Sequence, residues 1–272
     1  MSKARDSIED LKTIDANLAA KAPLASPVFT GNVGVGVTPE TGWQSYQAIR
    51  LGGVASLWSS TAKAANGHTQ FGNNVYRDSS GNDKYIVTDE ASKYRQGAGG
   101  HHFSVAASGS ANAAISFNEA MAINNAGVVT KPLQPAFNVH KSITQNDIPV
   151  ASDTLITWGT EVYDVGSNFA SNTFTAPVTG KYFLKAGIRV DNMDAVHYYN
   201  FYILTSNRRY QDIHSYSSLS ADPAYWSFSM TVLADMDAGD TATVGIYQAT
   251  GSTHTDIATD ASRSFFHGYL LG

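Results

Sequence analysis

A chain of 272 residues with no cysteine can use neither disulfides nor thiolate metal sites, so its stability has to come from burial and association. Only 15% of its residues are charged, against roughly 25% in ordinary soluble domains, and 23 glycines among many Ala, Ser, Thr and Asn suit uncharged β-structure. A formal charge of -5 gives no reason to expect a nucleic-acid partner, which would need clustered cations, and no apolar run approaches the roughly 20 residues that span a bilayer. The first residues lead into a polar segment rather than an apolar one, so the expectation is a protein made in a cytosol, without a secretory leader or membrane insertion.

Residues 2–21 carry a helical pattern, with Asp6 or Ser7 as N-cap, Glu9 in the first turn, and Leu11, Ile14 and Leu18 at coiled-coil spacing. Isolated helices of this length are marginal in water. A parallel three-stranded bundle or a docking helix is therefore expected over a helix lying on its own domain. Pro23 and Pro27 push the residues before them out of the α region and end the helix. Residues 21–31 read Lys-Ala-Pro-Leu-Ala-Ser-Pro-Val-Phe-Thr-Gly, with Phe29 near the end.

Residues 32–131 are odd for a lone domain. Stretches such as 106–114 hold almost no large apolar side chain. Ordering each residue costs about 1–2 kcal/mol, while apolar burial returns only about 25 cal/mol per Å². Trp43, Trp58, Phe71, Tyr76, Tyr85, Tyr94, Phe103 and Phe117 nonetheless punctuate the segment. The expected solution is an interwoven trimeric β shaft, with small residues near the axis and aromatics filling the layers. Gly34 and Gly36 lack the Lys-Ser/Thr and following helix of a phosphate loop. His101 and His102, adjacent on a strand, point to opposite faces and read as an exposed or interfacial pair; only around a trimer axis would one of them repeat about an ion. Pro132 and Pro135 then mark a boundary, dividing the chain into residues 1–31, 32–131 and 132–272.

Beyond it, strand patterns fall at 136–141, 155–163, 181–190, 198–205, 209–216, 225–233, 241–248 and 263–271, separated by turn-rich segments. Short strands spaced this way predict an antiparallel sandwich, and the whole chain reads as mainly β with one short N-terminal helix.

Two resemblances sharpen this. The element at 21–31 closely resembles one of bacteriophage tail fibres, where it links an attachment segment to a β shaft; the segment from Asn73 through Met121 to the turn at 123–128 is similar to a fibre shaft module. Tyr163, Asp164, Gly166, Phe169, Phe174, Ala176, Pro177, Gly180 and Tyr182, the Ala238-Gly239-Asp240 turn, and Phe266-His267-Gly268-Tyr269-Leu270-Leu271 together resemble the C1q/tumour-necrosis-factor-like trimeric jelly roll. Collagen-like repeats are missing, so complement-type ligands are not implied. The resemblances imply a homotrimeric, non-enzymatic fibre of a phage or phage-tail-like injection device. Its N-terminus, with Leu11, Ile14, Leu18, Pro23 and Phe29, would serve trimer formation and attachment to a tail or baseplate protein. Its head would bind a host-surface glycan or envelope protein. Such a protein would reside in the virion tail.

Both termini of such a head lie at its base, which would put residues 191–196, 217–224 and 250–262 at the free apex. Asp191, Asn192, Asp194, Ser218, Asp222, Tyr225, His254, Asp256 and Asp260 are the candidate receptor contacts there. Tyr216, Tyr225, Trp226 and His254 could stack on sugar faces, with one of Tyr225 and Trp226 expected in the core. Asp191 and Asp194 are candidate ligands for apical calcium, although they lack EF-hand spacing and suit a hydrogen-bonded turn equally. For catalysis, Glu161 and Asp164 are close in sequence but three apart on a strand, and no nucleophile elbow or metalloprotease helix occurs. The competing readings are a polysaccharide-depolymerising fibre and a cellular C1q-like adhesin.

Overall fold

The structure, a computed structural model, describes residues 29–62, 65, 67–195, 198–252 and 255–271. The expected helix with Leu11, Ile14 and Leu18, its end at Pro23 and Pro27, and His254 lie outside the described residues. Every regular element among the described residues is a strand, and none is a helix able to cross a membrane. The chain divides into two compact units between Lys131 and Pro132.

In the first unit β1 (Val33–Val35), β2 (Tyr46–Leu51), β3 (Ala55–Ser60), β4 (His68–Asn73), β5 (Val75–Arg77), β6 (Asp83–Tyr85), β7 (Asp89–Gly97), β8 (Gly100–Gly109), β9 (Asn118–Ile123) and β10 (Val129–Thr130) follow in order. One eight-stranded sheet runs β1-β2-β3-β4-β7-β8-β9-β10, and β5 and β6 form a separate hairpin. These ladders join strands of one chain, several through turns as short as 97–100 between β7 and β8, a pairing that costs little loop closure.

The sheet has a covered face, where Ala48, Trp58, Ala91 and Ala106 are buried together with polar side chains, and an outward one. The covered face carries Arg50, Ser56, Gln70 and Trp58, all buried. The hairpin lies against it: Ser56 donates to Val75 O at 2.8 Å, Lys93 Nζ to Asp83 at 2.6 Å, and Trp58 packs with Trp43 and Val75. Arg50 is neutralised by Glu40 and donates to Gly53 O at 3.0 Å. Asn74 holds the turn at φ 57°, its amide donating to Val87 O and Glu90 O and its carbonyl accepting from Ile86 and Val87 N–H. The other face carries an apolar row in strict register, Val33, Ile49, Leu57, Phe71, Tyr94, Phe103 and Met121, one from each successive strand. Within it Ile49, Leu57, Phe71 and Phe103 are 39%, 37%, 50% and 37% exposed. Phe29 and Gly31 border its Val33, Ile49 and Leu57 end.

The second unit comprises β11 (Ala136–His140), β12 (Asp153–Leu155), β13 (Thr160–Val165), β14 (Phe169–Ala170), β15 (Thr173–Thr175), β16 (Gly180–Asp191), β17 (Tyr199–Thr205), β18 (Arg209–His214), β19 (Tyr225–Met236), β20 (Thr241–Gln248), β21 (Asp256–Ile257) and β22 (Phe265–Leu270). One sheet runs β13-β11-β22-β16-β19 with β21 joined to β16, and the other β14-β15-β20-β17-β18 with β12 joined to β20. From β15 onward the chain crosses repeatedly between the sheets, which makes the unit an antiparallel jelly-roll sandwich. Inward residues of both sheets fill one core around Phe137, Phe174, Tyr182, Phe201, Phe228 and Phe266; the Phe137 and Phe174 rings stack at 4.5 Å.

The stretch 155–163, expected as one strand, is split. Leu155 ends a strand of one sheet and Thr160 begins a strand of the other, with Ile156 fully buried between them and Asn172 accepting the Trp158 N–H at 2.7 Å. Alternation continues across the gap because the crossing residues keep facing the same core.

Candidate functional site

The strand directions gather three loops at one end of the sandwich, as expected, while Pro135 O accepts from Leu270 N at 3.0 Å at the other. Residues 191–195 and 217–224 are tied by Asn192 N to Ala224 O at 2.9 Å and by Ala195 N to Asp222 Oδ1 at 2.7 Å. Asn192, left-handed at φ 53°, donates its amide to Asp256 Oδ2 at 3.1 Å. Asp256 also accepts the Asp147 N–H, bringing in a fourth loop. Arg263 and Ser262 both bond Asp260, at 2.7 and 2.6 Å.

Asp194 is the most committed of these carboxylates. It is buried, and its oxygens accept from Ser252 N at 2.6 Å, Ser252 Oγ at 3.2 Å and Gln248 Nε2 at 2.8 Å. The Tyr199 hydroxyl lies 3.1 Å from Thr255 Oγ1 and accepts from Asp194 N at 3.2 Å; burial pushes that phenol up to about 12. Asp191 instead grips Arg189 in a two-point ion pair, 2.7 and 2.9 Å. The candidate apical acids therefore meet as a region, but Asp194, Asp222 and Asp256 are engaged in joining loops. Among the described residues no group of three or more His, Cys, Asp or Glu gathers where a metal could sit. Ser218 is exposed on its loop.

Tyr225 and Trp226 differ from expectation. Neither is core: they are 68% and 41% exposed, because β19 is an edge strand and both sit at its apical start. Trp226 leans edge-on against Tyr216, 5.2 Å between rings, and it is Tyr216 that is buried. On the sheet's outer face Tyr225 stands opposite Asp191 and Ser227 opposite Arg189. Arg189, Tyr225, Trp226, Ser227 and Arg263 line an open groove of about 450 Å³. Arg189, Ser227 and Arg263 were not among the sequence candidates; outward alternation of Arg189 with Asp191 was the available signal, without a register to place Ser227 beside it.

Of the carboxyls weighed for catalysis, Asp164 accepts the Asn168 and Phe169 N–H groups at 2.9 and 2.8 Å and so fixes the corner before β14. His101 lies 2.5 Å from Tyr94 Oη, and His102 is 2.5 Å from Glu119. The two imidazoles are thus engaged with partners on different strands.

The second unit is an antiparallel jelly roll whose apical loops are fastened by their own acids beside an arginine and tyrosine groove. Among solved structures it is similar to the globular domain of zebrafish complement 1qA protein, at 13% identity, 51% of this chain, 98% of that chain and a TM-score of 0.39. Murine APRIL is matched at 17% identity over 51% of this chain and 99% of that one, with a TM-score of 0.38. Scores this low leave the fold to be read from the strand order itself. No family model and no curated protein matches the sequence.

Proposed function

We propose that the chain is a non-enzymatic, homotrimeric fibre of a phage or phage-tail-like injection device. Its N-terminal residues attach to a tail or baseplate protein, residues 32–131 form a shaft, and the jelly roll binds a component of a host cell surface. The observation that carries the reading is the exposed apolar row from Ile49 to Met121, with a second patch in the jelly roll where Phe183 stacks on Tyr269 at 5.2 Å beside Leu233, itself 60% exposed. Apolar faces of this kind are covered by a partner in assembled proteins, and copies of the same chain provide one at every position. Shaft formation then proceeds by face packing rather than strand exchange. The Lys21 to Gly31 resemblance supplies the tail context. Three modest sites on one trimer gain avidity from effective concentration.

Light scattering of the full chain tests this reading: a mass three times that of the chain is expected, and Phe71→Glu should release monomer. A stable monomeric wild type would overturn it. The jelly roll serves a cellular adhesin equally well, and neighbouring genes encoding baseplate proteins would argue against that alternative. Chain shortening of host polysaccharide on incubation would favour a depolymerase, and cell binding with and without chelator tests the calcium expectation.

A further inference from the structure

We infer that the groove formed by Arg189, Tyr225, Ser227 and Arg263 is a binding site for a neutral saccharide; this rests on the host-surface reading above and names the ligand class for it. The groove combines what a pyranose needs. Tyr225, 68% exposed, offers an aromatic surface for the apolar C–H face of a sugar, with the Arg189 guanidinium over one ring face at 5.6 Å from the centroid. Polar groups converge beside it: Arg189 with Asp191, Arg263 with Asp260, and the Ser227 position at the groove's wall. Its volume falls within the roughly 300–1,000 Å³ of small-ligand clefts.

Charge decides between sugar classes. Two guanidiniums face two carboxylates, Asp191 and Asp260, with Asp260 Oδ2 3.6 Å from Arg189 and 2.7 Å from Arg263. Each guanidinium of the lining is thus already paired with a carboxylate. An acidic saccharide would have to break the two-point Arg189–Asp191 pair or approach Asp260, leaving a carboxylate uncompensated. Vicinal hydroxyls can accept from the guanidinium N–H groups and donate to the carboxylates without displacing either. The groove is also built on strand ends, β16 and β19 being paired along their whole length, so its geometry is set by backbone register.

The test measures binding of the full-length protein to immobilised dextran, mannan and galactan, with polygalacturonate as the acidic counterpart, and to a panel of bacterial envelopes. Binding to at least one neutral polymer is expected, weakened about tenfold or more by Tyr225→Ala and by Arg263→Gln, with the oligomeric mass unchanged. Exposed Tyr225 can be truncated without unfolding the core, and Arg263→Gln keeps side-chain bulk as a second check. Binding to polygalacturonate alone, or neutral binding untouched by both variants, would overturn the inference. So would loss of the oligomer in Tyr225→Ala, which would make the groove a subunit contact. A protein that binds envelopes but no neutral polymer overturns this site and leaves the host-surface reading standing; one that binds neither overturns both.

Discussion

Asp194 shows how a loop carboxylate can be structural although its sequence context suits a ligand. Its partners Ser252 and Gln248 lie 58 and 54 residues away, so nothing near it in the chain announces that its oxygens are taken. Asp194→Ala should cost about 2–4 kcal/mol, read from chemical denaturation, because buried donors lose a charged acceptor; Asp191→Ala, at the half-exposed ion pair, should cost under about 1 kcal/mol. A second residue sets a pH dependence. Lys141 is 2% exposed, with Nζ donating to Thr157 O at 2.9 Å and Gln145 Oε1 at 3.3 Å, and burial lowers it to about 8. The unfolded chain, with an ordinary lysine near 10.5, then holds more protons than the folded one above about pH 8. Lys141 therefore contributes a rise in stability as pH goes from about 8 towards 10.5. Comparing denaturation midpoints across that window for wild type and Lys141→Met isolates it: the variant should lack the rise.

At the scale of elements, alternation carried most of the jelly roll, since residues inside a sandwich repeat every second position and β16, β17, β19 and β20 are long enough to display it. β14, β15 and β21 have two or three residues each and cannot display a period. The run at 155–163 misled for the opposite reason, a continuous period spanning two strands of different sheets. The closing strand was legible down to a glycine. A Cβ on Gly268 would lie 2.6 Å from Leu184 Cδ2 and 2.7 Å from Phe183 O, so Gly268→Ala should destabilise the jelly roll by about 1–3 kcal/mol in thermal or chemical melts. The apical loops were legible as a region because turn residues cluster there. The groove beside them was not, because Arg189, Tyr225 and Arg263 come together only through strand register and the turn after β21.

At the scale of the whole molecule, the described residues form a tightly filled core in the jelly roll and, in the first unit, small clusters around Trp43, Trp58 and Tyr85. The sequence of the first unit is too poor in large apolar residues to bury enough alone. What it could not supply was the direction in which those residues face: the covered side of the sheet took Arg50, Ser56 and Gln70, and the row from Ile49 to Met121 was left outward. In the proposed trimer that outward row would make folding answer to mass action. If each chain completes its burial only against others, its stability has no single value, and the melting midpoint of the full chain should climb with every increase in protein concentration. Dilution series in a calorimeter would register this. A newly made chain would likewise be at its most vulnerable to aggregation and proteolysis before it meets its partners.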